Sequence, residues 1–245
     1  MSLLSATQRT DDKDKQDGMP FDRNRLRWWP WGVSHPRGPR RDTESFSTPG
    51  KEHQVYVDPE RGLLDVARQL ASPNCDARPS GSVPELIILH SISLPPGEFG
   101  GSWIESLFTN TLDPDGHPYF AGIAGLRVSA HLLVDRGGNL IQFVPFHRRA
   151  WHAGVSSYCG REACNDFSIG IELEGADDAP FDPRQYASLA AVIQALLCAY
   201  PTLDRDRIRG HTHIAPGRKT DPGPWFDWSW LQMMIEAKDS QGRSG

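Results

Sequence analysis

The pattern of hydrophobic and polar positions changes near residue 54 of the 245-residue chain. In the first 53 residues no helical or strand period is present, and Val33 is the only β-branched aliphatic residue. A segment with so few core-forming side chains buries too little apolar surface to offset the entropy cost of ordering it. We therefore predict an N-terminal tail over residues 1–53, a folded domain over residues 54–237 and a C-terminal tail over residues 238–245.

Three hydrophobic patterns predict the strands of this domain. Glu85–His90 is a short and almost continuous apolar run, which is typical of a strand covered on both faces of a sheet. Phe167–Leu173 alternates between apolar and polar residues, with Glu172 on the polar face. Ser129–Asp135 and Asn139–Val144 flank an Arg-Gly-Gly turn, and this arrangement predicts a β-hairpin.

Helical spacing appears in three further segments. Asp182 and Pro183 suit the N-cap and first position of a helix whose apolar residues recur at helical spacing until Pro201 ends it. Shorter helices are predicted over Gly101–Phe108 and Asp227–Ala237. Strands interspersed with helices in one domain predict an α/β fold with a central mixed β-sheet flanked by helices.

Composition excludes several classes of protein. The 26 Lys and Arg against 31 Asp and Glu give a net charge of −5, which argues against a broad nucleic-acid-binding surface. A mean hydropathy of −0.50 and the lack of a long apolar run argue against a membrane span. The first thirty residues contain no stretch suited to a secretion signal, so we expect a cytoplasmic protein with reduced cysteines.

A group of potential metal ligands is the main chemical signal. His90 ends the predicted central strand, where α/β sheets commonly carry their sites. His211, His213 and Asp221 lie within eleven residues of one another in a glycine- and proline-rich loop. Two histidines and one carboxylate, together with a water, would make the open tetrahedral Zn²⁺ site of a hydrolase. The residues alone leave the choice between His211 and His213 open.

A hydrolase of this kind also needs a base and a group that stabilises the oxyanion. Glu172 is the favoured base, because a carboxylate on an otherwise apolar strand is costly without a role. Glu174 lies on the same face, so strand geometry does not choose between the two. Lys219, two residues before Asp221, is a candidate for stabilising the oxyanion, with a solvated surface lysine as the alternative.

Five motifs, in this order, carry a resemblance to a known family. The chain resembles the AmpD-type N-acetylmuramoyl-L-alanine amidases, in particular the cytoplasmic 1,6-anhydro type of cell-wall recycling, from about Val57 to Trp230. The motifs are Leu89–Pro96 (LHSISLPP), Arg127–His131 (RVSAH), Arg149–Gly154 (RAWHAG), Cys164–Glu174 (CNDFSIGIELE) and Lys219–Pro224 (KTDPGP). The resemblance implies the mixed sheet shared with phage lysozyme-type amidases and peptidoglycan recognition proteins.

The resemblance also implies a role for individual residues. It matches His90, His211 and Asp221 to the zinc ligands, which leaves His213 as a neighbour. It matches Glu172 to the general base and Lys219 to the oxyanion stabiliser. Further expected substrate contacts are Arg127, Trp151, His152 and Ala215, with Trp151 and His152 as a wall for the sugar.

Two departures from the family pattern are visible. Ser91 stands where members commonly have asparagine after the histidine, and Ala163 stands where they commonly have arginine. If that arginine binds the carboxylate of the stem peptide, affinity for the peptide end is affected, whereas the metal chemistry is not. Arg127 and Arg161 remain as candidate contacts for anionic groups.

The function expected from these observations is zinc-dependent hydrolysis of the amide between (1,6-anhydro-)N-acetylmuramic acid and L-alanine in muropeptides. The expected partners are a muropeptide substrate and Zn²⁺, with no nucleic acid, no membrane span and a monomeric chain. The alternative is a non-catalytic module of the same fold that binds peptidoglycan fragments. A zinc peptidase is a weaker alternative, because the H-E-x-x-H motif is absent from the sequence.

Overall fold

The computed structural model describes residues 54–242, so the predicted N-terminal tail lies outside the described residues. Within that range the strands are β1 (Val57–Asp58), β2 (Leu63–Leu64), β3 (Arg68–Gln69), β4 (Cys75–Asp76), β5 (Leu86–Ile92), β6 (Leu132–Val134), β7 (Leu140–Gln142), β8 (Arg149–Ala150), β9 (Ser157–Tyr158), β10 (Arg161–Glu162), β11 (Ser168–Glu174) and β12 (Ile208–Gly210). The helices are α1 (Trp103–Phe108), α2 (Pro183–Ala199), α3 (His211–Ile214) and α4 (Trp228–Gly242).

Six of these strands form the central sheet, in the order β12-β5-β11-β6-β7-β3. Strand β5 pairs in parallel with both β12 and β11, and β11 pairs in parallel with β6. Strands β6 and β7 are antiparallel and form the predicted hairpin, whereas β3 runs parallel to β7. The predicted mixed sheet is confirmed, and the fully buried β5 lies inside it, as its continuous apolar run indicates.

One face of the sheet packs against α2 and α4. The side chains of Ile169, Ile171 and Leu173 belong to this core, together with Leu189 and Ile193 of α2. The alternation of β11 therefore separates its two faces as predicted, and its apolar positions are all buried in this layer. Burying each such side chain contributes about 1.5–3 kcal/mol relative to leaving it in water.

The helix α2 begins where the sequence predicts. The Asp182 side chain accepts a hydrogen bond from the Arg184 backbone N–H, and the Gln185 side chain accepts one from the Asp182 backbone N–H. This reciprocal capping satisfies amide groups that the first helical turn leaves unpaired. The last helix is longer than expected, because α4 continues to Gly242 rather than ending at Ala237.

The second face of the sheet carries His90 of β5 and the polar residues of β11. At the N-terminal end of β5, Leu86 and Ile88 pack on this face with Phe167 and Ile214 in a small apolar cluster. All four cysteines are free. None of the helices in residues 54–242 combines the length and apolar character needed to cross a membrane.

A buried histidine ties the hairpin to this second face. His131 is fully buried, and its Nδ1 accepts a hydrogen bond of 3.0 Å from the Gly170 backbone N–H. Its Nε2 lies 3.0 Å from the carbonyl oxygen of Arg148 and 3.2 Å from the Arg78 guanidinium. Burial and the positive charge of Arg78 lower the pKa of His131 to about 3, so the ring is neutral in the folded protein.

We expect this neutral histidine to make the protein less stable in acid. Because its folded pKa is lowered, the unfolded chain binds a proton that the folded chain does not, and stability falls as the pH drops from about 6.5 towards about 3. Urea unfolding at several pH values measures this dependence. An H131Q variant should be less stable at neutral pH but lose stability less steeply in acid; an identical slope in both proteins would contradict this account.

Candidate metal centre and active site

The register of two parallel strands brings His90 and Glu172 together. Strands β5 and β11 pair so that Glu172 lies directly opposite His90. Directly paired residues on neighbouring strands point to the same face of a sheet, so both side chains project to the second face. This pairing joins two of the predicted site residues that are 82 positions apart in the sequence.

The other metal-ligand candidates come from the chain after β12. Strand β12 pairs with β5 so that Gly210 lies opposite Leu89, and His211 follows at the start of α3. We expected a loop here, but residues His211–Ile214 form one short helical turn. The loop after it returns, and the Thr212 N–H donates to the carbonyl oxygen of Asp221 at 3.0 Å.

Gly210 allows the returning loop to approach closely. A Cβ atom at this position would lie 2.7 Å from Pro222 Cδ and 3.3 Å from the carbonyl oxygen of Asp221. Real Cβ atoms essentially never come within 3.0 Å of another heavy atom, so a larger residue would push the loop away. Glycine at the end of β12 therefore fixes the position of Asp221 beside His211.

Three donor atoms from these residues meet at one point. His90 Nδ1 lies 3.0 Å from His211 Nδ1 and 3.0 Å from Asp221 Oδ2, and His211 Nδ1 lies 3.1 Å from Asp221 Oδ2. All three residues are buried, with exposed fractions of 1%, 2% and 0%. Among the described residues they form a group of side chains able to hold a metal ion.

The hydrogen bonds around His211 indicate whether its Nδ1 carries a proton or a lone pair. His211 Nε2 lies 3.0 Å from the carbonyl oxygen of Ala153, which can only accept. This carbonyl is closer to Nε2 than the Arg218 guanidinium, which lies 3.4 Å away, so the neutral ring is expected to carry its proton on Nε2 and to present a lone pair on Nδ1 to the Asp221 carboxylate. Two acceptor atoms 3.1 Å apart repel one another unless a cation lies between them.

His90 and Asp221 also bring acceptor atoms to the point where the three side chains meet. Burial and the neighbouring His211 lower the pKa of His90 to about 4, so its ring is neutral near pH 7. Asp221 Oδ1 is buried and has no hydrogen-bond partner among the described residues. Two imidazole nitrogens and one carboxylate oxygen are the donor set of three-ligand zinc sites, which keep a fourth position open.

The structure distinguishes Glu172 from Glu174. Glu174 is buried, and its carboxylate accepts hydrogen bonds from the backbone N–H groups of Gly100 and Arg136. Glu172 Oε2 is also buried but has no hydrogen-bond partner among the described residues. Burial and the negative charge of Asp221 raise the pKa of Glu172 well above its ordinary value. Glu172 therefore has an oxygen available for proton transfer, whereas Glu174 anchors two loops.

Lys219 is a buried residue of the same pocket. Its exposed fraction is 8%, which excludes the alternative of a solvated surface lysine. Burial lowers the pKa of Lys219, and the charges of Asp221 and Glu172 oppose that shift. The lining of this pocket includes His90, His152, Glu172, His211 and Lys219.

The remaining predicted residues lie in different surroundings. His213 is exposed, and its Nδ1 accepts from the Gly210 backbone N–H at 2.9 Å, so it is not one of the three donors. Arg127 is exposed, Trp151 is half-buried and Ala215 is buried, and none of these three belongs to the pocket lining. His152 does line the pocket, and both of its ring nitrogens face protein partners.

Two residues near the site were missed at the sequence level. Tyr119 lines the pocket from a segment with no regular pattern. The Asp177 carboxylate accepts hydrogen bonds from Ser91, next to His90, and from Thr220, next to Asp221. Asp177 thus connects the two segments that carry ligands. No motif or period marks either residue, because both act through contacts between distant segments.

Comparison with known proteins identifies the family. Residues 80–224 match the N-acetylmuramoyl-L-alanine amidase family. The 1,6-anhydro-N-acetylmuramyl-L-alanine amidase AmpD of Escherichia coli K12 is 57% identical over 176 residues, which cover 72% of this chain and 96% of that protein. AmpD of Citrobacter freundii is 58% identical over 176 residues, covering 72% of this chain and 94% of that protein.

Solved structures give the same result. A crystal structure of a selenomethionine AmpD derivative has a TM-score of 0.71 and 57% sequence identity, covering 73% of this chain and 98% of that chain. The solution structure of Citrobacter freundii AmpD has a TM-score of 0.53 and 58% identity, covering 72% of this chain and 94% of that chain. The expected fold and family are confirmed: this chain belongs to the N-acetylmuramoyl-L-alanine amidase family.

Proposed function

We propose that this protein is a zinc-dependent hydrolase acting in the cytoplasm on muropeptides, in cell-wall recycling. It would cleave the amide between the lactyl group of 1,6-anhydro-N-acetylmuramic acid and L-alanine. The observation that carries the proposal is the meeting of His90 Nδ1, His211 Nδ1 and Asp221 Oδ2 within 3.1 Å of one another, in a pocket with Glu172. The AmpD relatives, which are named for this substrate bond, support the choice of substrate.

The donor set of this chain fits Zn²⁺. His90, His211 and Asp221 would hold the ion, because their facing electron pairs are unfavourable without a cation and the partnerless Asp221 Oδ1 adds negative charge. When bound, Zn²⁺ supplies Lewis acidity that polarises the scissile carbonyl and makes water more acidic. Asp221 is the only carboxylate among the three ligand side chains, so bound Zn²⁺ would keep part of its positive charge.

Glu172 is the proposed proton carrier of the reaction. Its Oε2 has no protein partner, and its raised pKa makes the carboxylate a better proton acceptor than an ordinary glutamate. The carboxylate takes a proton from the attacking water and passes it to the departing amine of L-alanine. One group thus serves as base and then as acid, and the amine leaves in a neutral form.

Lys219 would stabilise the negative charge that develops on the carbonyl oxygen. Its ammonium group is buried next to the pocket, where water screens charge poorly. A single preorganised donor of this kind contributes about 3 kcal/mol of transition-state stabilisation. Arg127, Trp151 and Ala215 remain proposed substrate contacts outside the pocket lining, and the ring of His152 is part of the pocket wall.

We expect the purified protein to release the stem peptide from anhydro-muropeptides, and a metal chelator to stop the release. Mass spectrometry of products from 1,6-anhydro and ordinary muropeptides, with and without chelator, measures both the bond cleaved and the need for the anhydro sugar. Restoring activity with Zn²⁺ alone is the expected control. Binding of muropeptide without any release would favour a non-catalytic peptidoglycan-binding module, and release that is insensitive to chelator would exclude the metal.

Replacing each of the two histidines of α3 by alanine, one at a time, tests which of them is a metal ligand. An H211A variant should lose tight Zn²⁺ binding, whereas an H213A variant should keep it, because His213 lies outside the donor group. Bound Zn²⁺ should stabilise the wild type and H213A by about 4 kcal/mol at a free concentration of about 1,000 times the dissociation constant. Zinc content after dialysis and thermal unfolding measure the effect. Equal losses in the two variants would refute the assignment.

The two glutamates of β11 give a matched test of the proton carrier. An E172Q variant should retain Zn²⁺ but lose roughly 100- to 10,000-fold in kcat, the range typical of a general acid–base group. An E174Q variant should keep most of the turnover and lose thermal stability, because Glu174 binds backbone amides of two loops. Steady-state kinetics with a metal assay separates the roles. Near-normal turnover of zinc-loaded E172Q would remove Glu172 from the reaction.

A further inference from the structure

We infer that His152 is a positioning residue that fixes the protonation and orientation of His90. His152 lies between His90 and a buried serine, with Nδ1 at 2.9 Å from His90 Nε2 and Nε2 at 3.2 Å from Ser168 Oγ. The inference rests on the proposed function, because it concerns how this chain prepares one of its proposed zinc ligands.

A backbone carbonyl sets the direction of this hydrogen-bond chain. Ser168 Oγ lies 2.6 Å from the carbonyl oxygen of Cys164, which can only accept, so the hydroxyl proton points there. The Ser168 oxygen is then an acceptor for a proton on His152 Nε2. The reverse direction would leave two oxygen atoms 2.6 Å apart with no proton between them.

The hydrogen-bond partners of His152 extend this order to His90. The two ring nitrogens of His152 face His90 and Ser168 and no carboxylate, so nothing in these contacts favours a second proton and the ring holds one. With that proton on Nε2, His152 Nδ1 is an acceptor and receives the proton of His90 Nε2. The lone pair of His90 then lies on Nδ1, the atom that faces His211 and Asp221.

Both proposed histidine ligands are thus oriented by a partner on the far side of the ring. His211 donates from Nε2 to a backbone carbonyl, and His90 donates from Nε2 to His152. Partners of this kind hold the ring plane and keep the ligating nitrogen unprotonated. The two partners differ in kind. The partner of His211 is a backbone carbonyl, whereas the partner of His90 is a side chain that a single substitution can remove.

The fold makes room for this side chain. A Cβ atom at Gly170 would lie 2.4 Å from both Cγ and Nδ1 of the His152 ring. Gly170 lies between Ser168 and Glu172 on the same face of β11, so the ring of His152 occupies the space that the missing side chain leaves. The glycine of the Ser-Ile-Gly-Ile-Glu segment is therefore explained by close approach of His152.

A pair of variants of similar size tests the inference. Asn can present its carbonyl oxygen near the position of Nδ1, whereas Leu has nearly the same shape and no acceptor. We expect H152L to bind Zn²⁺ roughly 10- to 100-fold more weakly than the wild type, the range typical of lost partners behind metal ligands. H152N should recover most of the affinity. Competition with a zinc-binding dye measures the dissociation constants, and thermal unfolding verifies that both variants fold.

Two further proteins complete the design. S168A keeps the His152 ring and removes its acceptor, so we expect a smaller loss of Zn²⁺ affinity than in H152L. H147L replaces an exposed histidine outside the pocket lining and should bind Zn²⁺ like the wild type. Equal affinities of wild type, H152L and H152N would overturn the inference, and so would equal losses in H152L and H152N.

A measurement on the metal-free protein separates this inference from the proposed function. Nitrogen-15 NMR of the histidine rings should find the His152 proton on Nε2 in the wild type. A proton on Nδ1 would overturn the inference even if the protein is an active zinc amidase. A wild type that binds no Zn²⁺ would refute the proposed function, and the ring tautomer would then decide the inference alone.

Discussion

The site depends on holding three electron-pair donors closer together than they would remain by themselves. His90, His211 and Asp221 come from three separate segments, and their ligand atoms lie 3.0–3.1 Å apart in a region that water barely reaches. Such an arrangement is unfavourable without a cation, so the surrounding fold must be rigid enough to impose it. The rest of the domain can be understood as the support for this one arrangement.

That support comes mainly from backbone structure. The parallel pairing of β5 with both β11 and β12 places the ends of three strands next to one another. Gly210 and Gly170 then admit neighbours that any larger residue would displace. Capped helix α2 and helix α4 cover the opposite face, so that the strands stay fixed by a large apolar core. The site therefore shares the stability of the whole sheet.

Different surroundings give the two buried carboxylates of the site, Asp221 and Glu172, different chemistry. Asp221 lies against two imidazole rings and belongs to the group of donor atoms. Glu172 has an unpartnered oxygen, and burial near Asp221 raises its pKa. The third carboxylate, Glu174, accepts hydrogen bonds from two backbone amides and so anchors two loops. Three carboxylates of one site thus acquire different properties from their surroundings.

The sequence by itself determined the local features of the protein. The continuous run of β5, the alternation of β11, the hairpin and the capped start of α2 follow from periodicity and capping, which act over a few residues. The family resemblance rests on motifs, which also are local. Periodicity marks the limits of helices less sharply, and it does not predict α3, because one helical turn has too few residues to show a period.

Only the tertiary structure decided which side chains meet. Residue alternation places Glu172 and Glu174 on one face, and only the contacts of distant loops show that Glu174 binds backbone amides whereas Glu172 Oε2 does not. The contact of His152 with His90 and the bridge made by Asp177 join segments more than 40 positions apart. Such contacts are set by strand register and close packing between distant segments, and neither leaves a periodic trace along the chain.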